Sequence, residues 1–183
     1  MAVLDDAFYA VLEFGTGGRR GKMYPVGTNV LNDRTMGESA RGLADAVIAR
    51  KGAGAPLSCV IARDTRHNSP EFAELCARVL AAAGFRVFLF AGPRSTPLLS
   101  FAVRHLGCAA GVTVTASHNP PDDNGYKVYL DEGAQLVPPA DRRIEDAIAA
   151  VGALREVPRG EEWRTLDDGI VAVERCRRRH LDR

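Results

Sequence analysis

The stretch LSCVIARDTRHNSPEFAELCARVLAAAGFRVFLF, residues 57–90, decides the fold. It opens with a short apolar run, which is typical of a strand buried on both faces. Ser69 and Pro70 then supply a predicted N-cap and a first-turn proline for a helix whose apolar residues recur every three or four positions. Gly84 ends this helix, and residues 85–90 are a second apolar strand. This strand, helix and strand form the unit from which parallel α/β sheets are built.

The alternation continues on both sides of this stretch. Thr35 to Glu38 has the capping-box form and predicts a helix that runs to the glycines near Gly52. Further on, the pattern predicts a helix from Thr96-Pro97, strands at 111–115 and 127–130, and a helix after Pro138-Pro139. We therefore predict an α/β fold, a three-layer α/β/α domain with a mixed, mostly parallel sheet of about four strands.

Length and composition set the limits of the domain. A chain of 183 residues with 46% hydrophobic residues is long enough for one soluble domain with a buried core. We place this domain at residues 1–152. Residues 153–183 carry Pro158, Gly160 and the run RCRRRHLDR, and we expect a linker or a truncated, irregular tail there.

Charge and cysteine content exclude several classes of function. The formal net charge is +1, with 24 basic and 23 acidic side chains mixed along the chain, so we expect no nucleic-acid partner. No window has the roughly 18 apolar residues of a membrane span and the N-terminus lacks a basic leader, so we expect a cytoplasmic protein. The histidines and cysteines lack zinc-ligand spacing, and we expect free structural thiols at four positions: Cys59, Cys76, Cys108 and Cys176.

Three loops that follow predicted strands carry the candidate chemistry. TASHNPPDDNGYK, residues 115–127, combines an attachable hydroxyl, hydrogen-bond donors and a lysine, as a phosphate site requires. FGTGGRRGK, residues 14–22, exposes backbone N–H groups at its glycines and adds positive charge. In RDTRHNS, residues 63–69, we interpret Asp64 and Arg66 as supporting residues.

Residue chemistry alone leaves other interpretations open for these loops. Residues 119–125 could form a plain surface turn, and the glycine-rich loop could be a tight turn with a solvated face. Ser117 and His118 are adjacent and lack a Gly-x-Ser-x-Gly elbow, which argues against acyl transfer. Arg20 stands where a dinucleotide-binding fingerprint would need its third glycine, which argues against NAD.

The order of these motifs adds a resemblance to the residue chemistry. FGTGGRRG, then IARDTR, then TASHNPPDDNGYK with VYLDEGAQLVPP behind it, resembles the first domain of the α-D-phosphohexomutase superfamily, which includes phosphoglucomutases and phosphomannomutases. The resemblance covers about residues 14–151. It implies an isomerase that moves a phosphoryl group between the 1- and 6-hydroxyls of a hexose, or the 1- and 5-hydroxyls of a pentose, through a sugar bisphosphate.

The resemblance also implies roles for single residues. Ser117 resembles the phosphoserine of the family, with Arg20 and Lys127 as catalytic cations that neutralise phosphate charge and assist proton transfer. The resemblance also implies a catalytic role for His118 at the substrate hydroxyl, and His118 and Asn119 are expected to bind substrate together with these residues. Relatives bind Mg²⁺ between the phosphoserine and a D-x-D-x-D-R loop of their second domain, so Ser117 would contribute one ligand through its phosphate.

This sequence departs from the family in what it lacks. It contains no D-x-D-x-D-R motif, and nothing in it matches the sugar-recognition and phosphate-binding loops of the family's third and fourth domains. Without domains II–IV we expect little or no mutase activity from this chain alone. The alternative from another functional class is a non-catalytic module that binds phosphosugars.

Overall fold

The structure, a computed structural model, describes residues 2–52, 54–153 and 156–166. Within these ranges helices and strands largely alternate along the chain. The helices are α1 (Ala2–Phe8), α2 (Asp33–Lys51), α3 (Ser69–Ala82), α4 (Thr96–His105) and α5 (Ala140–Ala149). The strands are β1 (Gly18–Lys22), β2 (Ser58–Arg63), β3 (Arg86–Phe90), β4 (Ala110–Val114), β5 (Asp123–Leu130) and β6 (Arg164–Leu166).

The strands form one mixed sheet in the order β1-β5-β4-β2-β3-β6. The β2 strand pairs in parallel with β3 and β4, and β3 pairs in parallel with β6. The β5 strand pairs antiparallel with both β4 and β1. Five strands therefore point one way and β5 alone points the other way, which confirms the predicted α/β class and the mixed, mostly parallel sheet.

The expected number of about four strands was too low, because the described sheet has six. The glycine-rich segment Gly18–Lys22 forms β1, although its sequence resembles a loop. It forms a strand because it pairs with β5 over five residues, and such pairing outweighs weak local propensity. The β6 strand comes from the segment interpreted as a tail, so the sheet extends past residue 152. The rest of that tail, from residue 167, lies outside the described residues.

Helices cover both faces of the sheet, but unequally. The larger core packs α2, α3 and α5 against inward residues of the central strands, among them Ile61, Val112 and Tyr126. On the opposite face, α4 packs against a smaller core that includes Val60 and Phe88. This arrangement confirms the three-layer prediction. On this second face, Arg20 of β1 is exposed and Lys127 of β5 is partly exposed, so it is the more open face at these positions.

Two predicted helix starts were wrong by a few residues. The capping box of α2 joins Asn32 and Thr35: the Thr35 amide donates to Asn32 Oδ1 (3.1 Å) and the Asn32 amide donates to Thr35 Oγ1 (3.0 Å). The cap therefore lies three residues before the one predicted from the spacing of Thr35 and Glu38. At α3 the N-cap is Asn68, and the Ser69 hydroxyl instead donates to Asp64 Oδ1 (2.8 Å). In both places the predicted capping hydroxyl bonds to a residue earlier in the chain: Thr35 donates to the Val30 carbonyl and Ser69 donates to Asp64.

The described cysteines Cys59, Cys76 and Cys108 are free and buried, as predicted. Burial raises the pKa of the Cys108 thiol to about 11, so this thiol stays protonated near neutral pH. Cys176 and the RCRRRH run lie outside the described residues. None of the helices in the described ranges has the length and apolar character that crossing a membrane requires.

Candidate functional site

The candidate site lies at the carboxyl ends of the parallel strands, where open α/β sheets bind ligands. A cleft of about 560 Å³ opens there between the loops that follow β2, β3 and β4. Its lining includes Asp64 and Arg66 from the first loop, Arg94 to Thr96 from the second, and Ser117 and Asn119 from the third. Strand order therefore brings together segments that are far apart in sequence.

Ser117 is exposed at this cleft in an uncommon backbone conformation. Its φ of +60° lies in the left-handed region, which few residues other than glycine adopt. Its amide donates to Thr115 Oγ1 (3.0 Å) and its carbonyl accepts from Arg66 Nη2 (2.9 Å). A conformation of this kind persists only where surrounding contacts hold it, and such positions cluster at functional sites.

Residues 115–123, which contain Ser117, are called the serine loop. Arg20 reaches this loop from strand β1. Its Nη1 donates to Asn119 Oδ1 (3.0 Å), and the Asn119 amide group donates to Asp123 Oδ2 (2.9 Å). Register explains this direction, since Arg20 lies opposite Gly125 of β5. A Cβ on Gly125 would lie 2.5 Å from the Thr115 carbonyl oxygen, so the glycine at this position lets the backbone of the serine loop pack closely against β5. The structure thus places two predicted site residues, Arg20 and Asn119, in direct contact.

Lys127 lies on β5 between Gly18 of β1 and Thr113 of β4. The sequence had placed it at the end of a loop, but the strand already begins at Asp123. Partial burial lowers the pKa of Lys127, the charge of Arg20 lowers it further, and Asp64 opposes these effects. A lysine with a lowered pKa carries more of its neutral form near neutral pH, which suits proton transfer.

Neither His118 nor Arg19 lines the cleft. His118 is exposed on the same loop as Ser117. Arg19, grouped with Arg20 by its charge, is only 5% exposed and points to the opposite face of the sheet. Its Nη1 donates to the Thr35 carbonyl (3.2 Å) and to Ser39 Oγ (3.2 Å). Arg19 therefore does not join the cleft.

Sequence reasoning missed two parts of the site. Asn124, which looked like half of an Asn-Gly turn, is fully buried in β5, and its Nδ2 donates to the His67 carbonyl (3.1 Å) and Ser69 Oγ (3.0 Å). Thr115 holds the Ser117 amide. No alternation along residues 123–130 marked Asn124, because residues 124–126 and 128–129 are all buried. For Thr115, only the strand-end position pointed to a role.

The described residues do not form a complete metal site. Within 2–52, 54–153 and 156–166, no group of three or more histidine, cysteine, aspartate or glutamate side chains could hold an ion. Mg²⁺ prefers several hard oxygen ligands, and of the described residues Ser117 would give one through its phosphate. The described residues on their own do not fit the ion.

The domain is thus a three-layer α/β/α sandwich with an exposed serine at the carboxyl edge of its sheet and an arginine bonded to the same loop. The model of the family described as phosphoglucomutase/phosphomannomutase, alpha/beta/alpha domain I, matches residues 11–155. This match covers well over half of the chain. The chain therefore belongs to the phosphoglucomutase/phosphomannomutase family, in which it corresponds to domain I, and the resemblance inferred from the motifs is confirmed.

Individual relatives agree with this assignment. The chain is 45% identical over 141 residues to a phosphoglucomutase of Staphylococcus epidermidis, covering 77% of this chain and 25% of the relative. It is 39% identical over 151 residues to a human phosphopentomutase, covering 79% and 24%. A solved Thermus thermophilus structure named as a phosphomannomutase superposes with a TM-score of 0.75 at 34% identity, covering 86% of this chain and 33% of that one. The chain thus spans 24% to 33% of the length of these relatives.

Proposed function

We propose that this chain is the phosphoserine domain of a phosphosugar mutase. The proposed reaction interconverts a hexose 1-phosphate and 6-phosphate, or a pentose 1-phosphate and 5-phosphate, through a sugar bisphosphate. The observation that carries the proposal is that Ser117 is exposed in a constrained left-handed backbone conformation. Arg20 of β1 bonds to the same loop at Asn119. Mutases and a pentomutase among the relatives support both sugar classes.

The chemistry asks little of the serine itself. The phosphoryl group passes from Ser117 Oγ to a sugar hydroxyl oxygen, and the hydroxyl proton leaves to a base, for which we propose Lys127. In the second half, the phosphoryl group at the other end of the bisphosphate passes to Ser117 Oγ, and the proton that Lys127 accepted goes to the sugar oxygen that this group leaves. Phosphoryl transfer depends mainly on alignment and charge neutralisation, so an ordinary hydroxyl with Arg20 close by is sufficient. We propose that His118 and Asn119 contact the sugar.

Magnesium is part of this proposal only as a property of the complete enzyme. When bound, the ion would neutralise charge on the phosphate of Ser117. Its other ligands would come from the parts of the relatives that this chain does not span, so domains II–IV are the proposed partners. A cytoplasmic location also stays a prediction, for which the free described thiols give support.

A chimaera tests the function with the missing parts supplied. Residues 11–155 would replace the matching segment of the Staphylococcus epidermidis phosphoglucomutase, and the product would be incubated with glucose 1,6-bisphosphate. We expect mass spectrometry to find one phosphate on Ser117, and none in a Ser117→Ala chimaera. Ser117 is exposed, so the alanine variant should fold equally well. A folded chimaera that binds glucose 6-phosphate but never carries phosphate on Ser117 would refute the proposal.

That same negative result would favour the second candidate, a phosphosugar-binding module without turnover. Arg20 and Lys127 remain available for recognition in this chain, whereas the described residues lack a complete metal site. Calorimetry of the 183-residue chain with glucose 6-phosphate is the direct measurement. Absence of heat at millimolar ligand would count against the module.

A further inference from the structure

Arg66 makes more contacts with the serine loop than a general supporting role requires. Its Nη2 donates to the carbonyls of Ser117 (2.9 Å) and Asn119 (2.7 Å). Its Nη1 donates to the carbonyls of Pro120 (2.5 Å) and Asp123 (3.0 Å). One guanidinium therefore holds four carbonyl groups over seven consecutive residues of the loop.

We propose that Arg66 is a positioning residue that fixes the left-handed conformation of Ser117 and so directs its hydroxyl. This inference rests on the proposed function of Ser117 as the phosphoryl carrier. The backbone of Ser117 is held at both ends, by Thr115 at the amide and by Arg66 at the carbonyl. If the carbonyl contact is lost, the serine can relax to the commoner right-handed or extended backbone, and its side chain then points elsewhere.

Arg66 is itself held by Asp64, and Asp64 is in turn held by Ser69 at the start of α3. Its Nε lies 3.3 Å from Asp64 Oδ2, and its amide donates to Asp64 Oδ1 (3.0 Å). The Ser69 hydroxyl donates to the same carboxylate and accepts from Asn124, which belongs to β5. The side chain of Arg66 is only 14% exposed, and its donors already point at carbonyls. Arg66 therefore acts on the serine through the backbone, without touching the sugar.

Only an arginine fits these contacts. A guanidinium presents five N–H donors in one plane, whereas a lysine ammonium is a compact charge with three donors. Arg66→Lys keeps the charge and loses the geometry, and Arg66→Gln loses both. Arg63 provides the matched control, because it is the last residue of β2, three residues before Arg66, and donates to the carbonyls of Asp64 and Ala91 rather than to the serine loop.

The test uses the whole chain with phosphoserine installed at position 117 during translation. A ³¹P NMR titration then gives the second pKa of this phosphate, which is about 6 for free phosphoserine. In the wild type, Arg20 and Lys127 should lower it. In both Arg66→Lys and Arg66→Gln the displaced phosphate should titrate closer to the free value, with a second ionisation constant at least about threefold smaller. Arg63→Lys should match the wild type. Amide hydrogen exchange of residues 117–123 should speed up about tenfold in the Arg66 variants while that of β4 does not change.

Each other result contradicts the inference. A rise of the pKa in Arg66→Gln alone would show that Arg66 acts by its charge and not by positioning. Faster exchange with an unchanged pKa in both variants would show a structural role only. A wild-type pKa no lower than that of free phosphoserine would mean that the loop does not direct the phosphate to the cations. Because the phosphate is installed, none of these results depends on phosphoryl transfer, which the chimaera tests separately.

Discussion

The side chains of two consecutive residues, Arg19 and Arg20, point to opposite faces of the sheet. Arg19 points to the face covered by α2, α3 and α5, where it is 5% exposed and bonds to the first turns of α2. Arg20 points to the face covered by α4 alone, where it is exposed and bonds to the serine loop. Strand alternation therefore gives identical side chains opposite surroundings.

Around β1 and β5, one face of the sheet therefore packs against helices, and the other face carries the cation that contacts the serine loop. On the packed face, side chains meet three helices, and substitutions should change stability. On the open face, Arg20 contacts the serine loop, and Lys127 interacts electrostatically with Arg20 and Asp64. Substitutions of these two cations should change the proposed phosphoryl transfer with little change in stability. Substitutions at four positions test this separation of the two faces.

The largest effect is expected at Lys127 on the open face. In the chimaera, Lys127→Met should slow phosphoryl transfer about 10²- to 10⁴-fold, the usual contribution of a positioned general base. Burial and Arg20 lower the pKa of Lys127 below its ordinary value of 10.5, so the wild-type rate should rise with pH as the lysine loses its proton. The variant should lose this rise. A pH–rate profile measures both, and an unchanged profile would remove Lys127 from the mechanism.

Next in size is Gly42, on the packed face where α2 meets α5. A Cβ at this position would lie 2.6 Å from Ile148 N and 2.7 Å from Ile148 Cα, so α5 would have to move. Gly42→Leu should lower the free energy of unfolding by about 3 kcal/mol, measured by urea unfolding. Ala149→Leu, on the exposed side of α5, is the control. Equal stability of the two variants would show that the contact between α2 and α5 is loose.

A smaller effect of opposite sign is expected at Arg19. Burial lowers the pKa of Arg19, and its Nε has no hydrogen-bond partner among the residues that the structure describes. Arg19→Met should raise the free energy of unfolding by about 1 kcal/mol, because it removes a desolvated charge and keeps the volume. Arg20→Met should leave stability unchanged and slow phosphoryl transfer. If the two variants behaved alike in both assays, the division of faces would fail.

The smallest effect concerns Asp131, which lies beyond the end of β5 away from the serine loop. Partial burial raises the pKa of Asp131, but hydrogen bonds and charges from Arg50 and Lys51 outweigh burial and lower it to about 2. The ion pairs of Asp131 with Arg50 and Lys51 therefore stabilise the fold above the ordinary carboxyl pKa of 3.8, and this contribution is lost as the pH falls through about 2. Asp131→Asn should cost less than about 1 kcal/mol at pH 7, since the groups are about a third exposed. Urea unfolding should show a larger difference at pH 7 than at pH 2, and Glu132→Gln is the exposed control.

Local sequence was sufficient where one segment carried its own signal. The strand, helix and strand of residues 57–90 could be read from apolar spacing, because each element buries a continuous or periodic set of side chains. The serine loop could be found because its residue types are rare together and follow a strand. Helix starts were less predictable, since the hydroxyls of Thr35 and Ser69 each had more than one possible partner.

Apolar periodicity and the order of the motifs were thus enough to predict the α/β class, the family and the candidate residues Ser117, Arg20 and Lys127. The face that each side chain occupies depends on how the strands pair. The register of β1 on β5 sends Arg19 inward and Arg20 to the serine loop, and no local pattern distinguishes two neighbouring arginines. The contacts of Arg66 with four carbonyls also depend on β2 lying next to β4, because only that pairing brings residues more than fifty positions apart within hydrogen-bond distance.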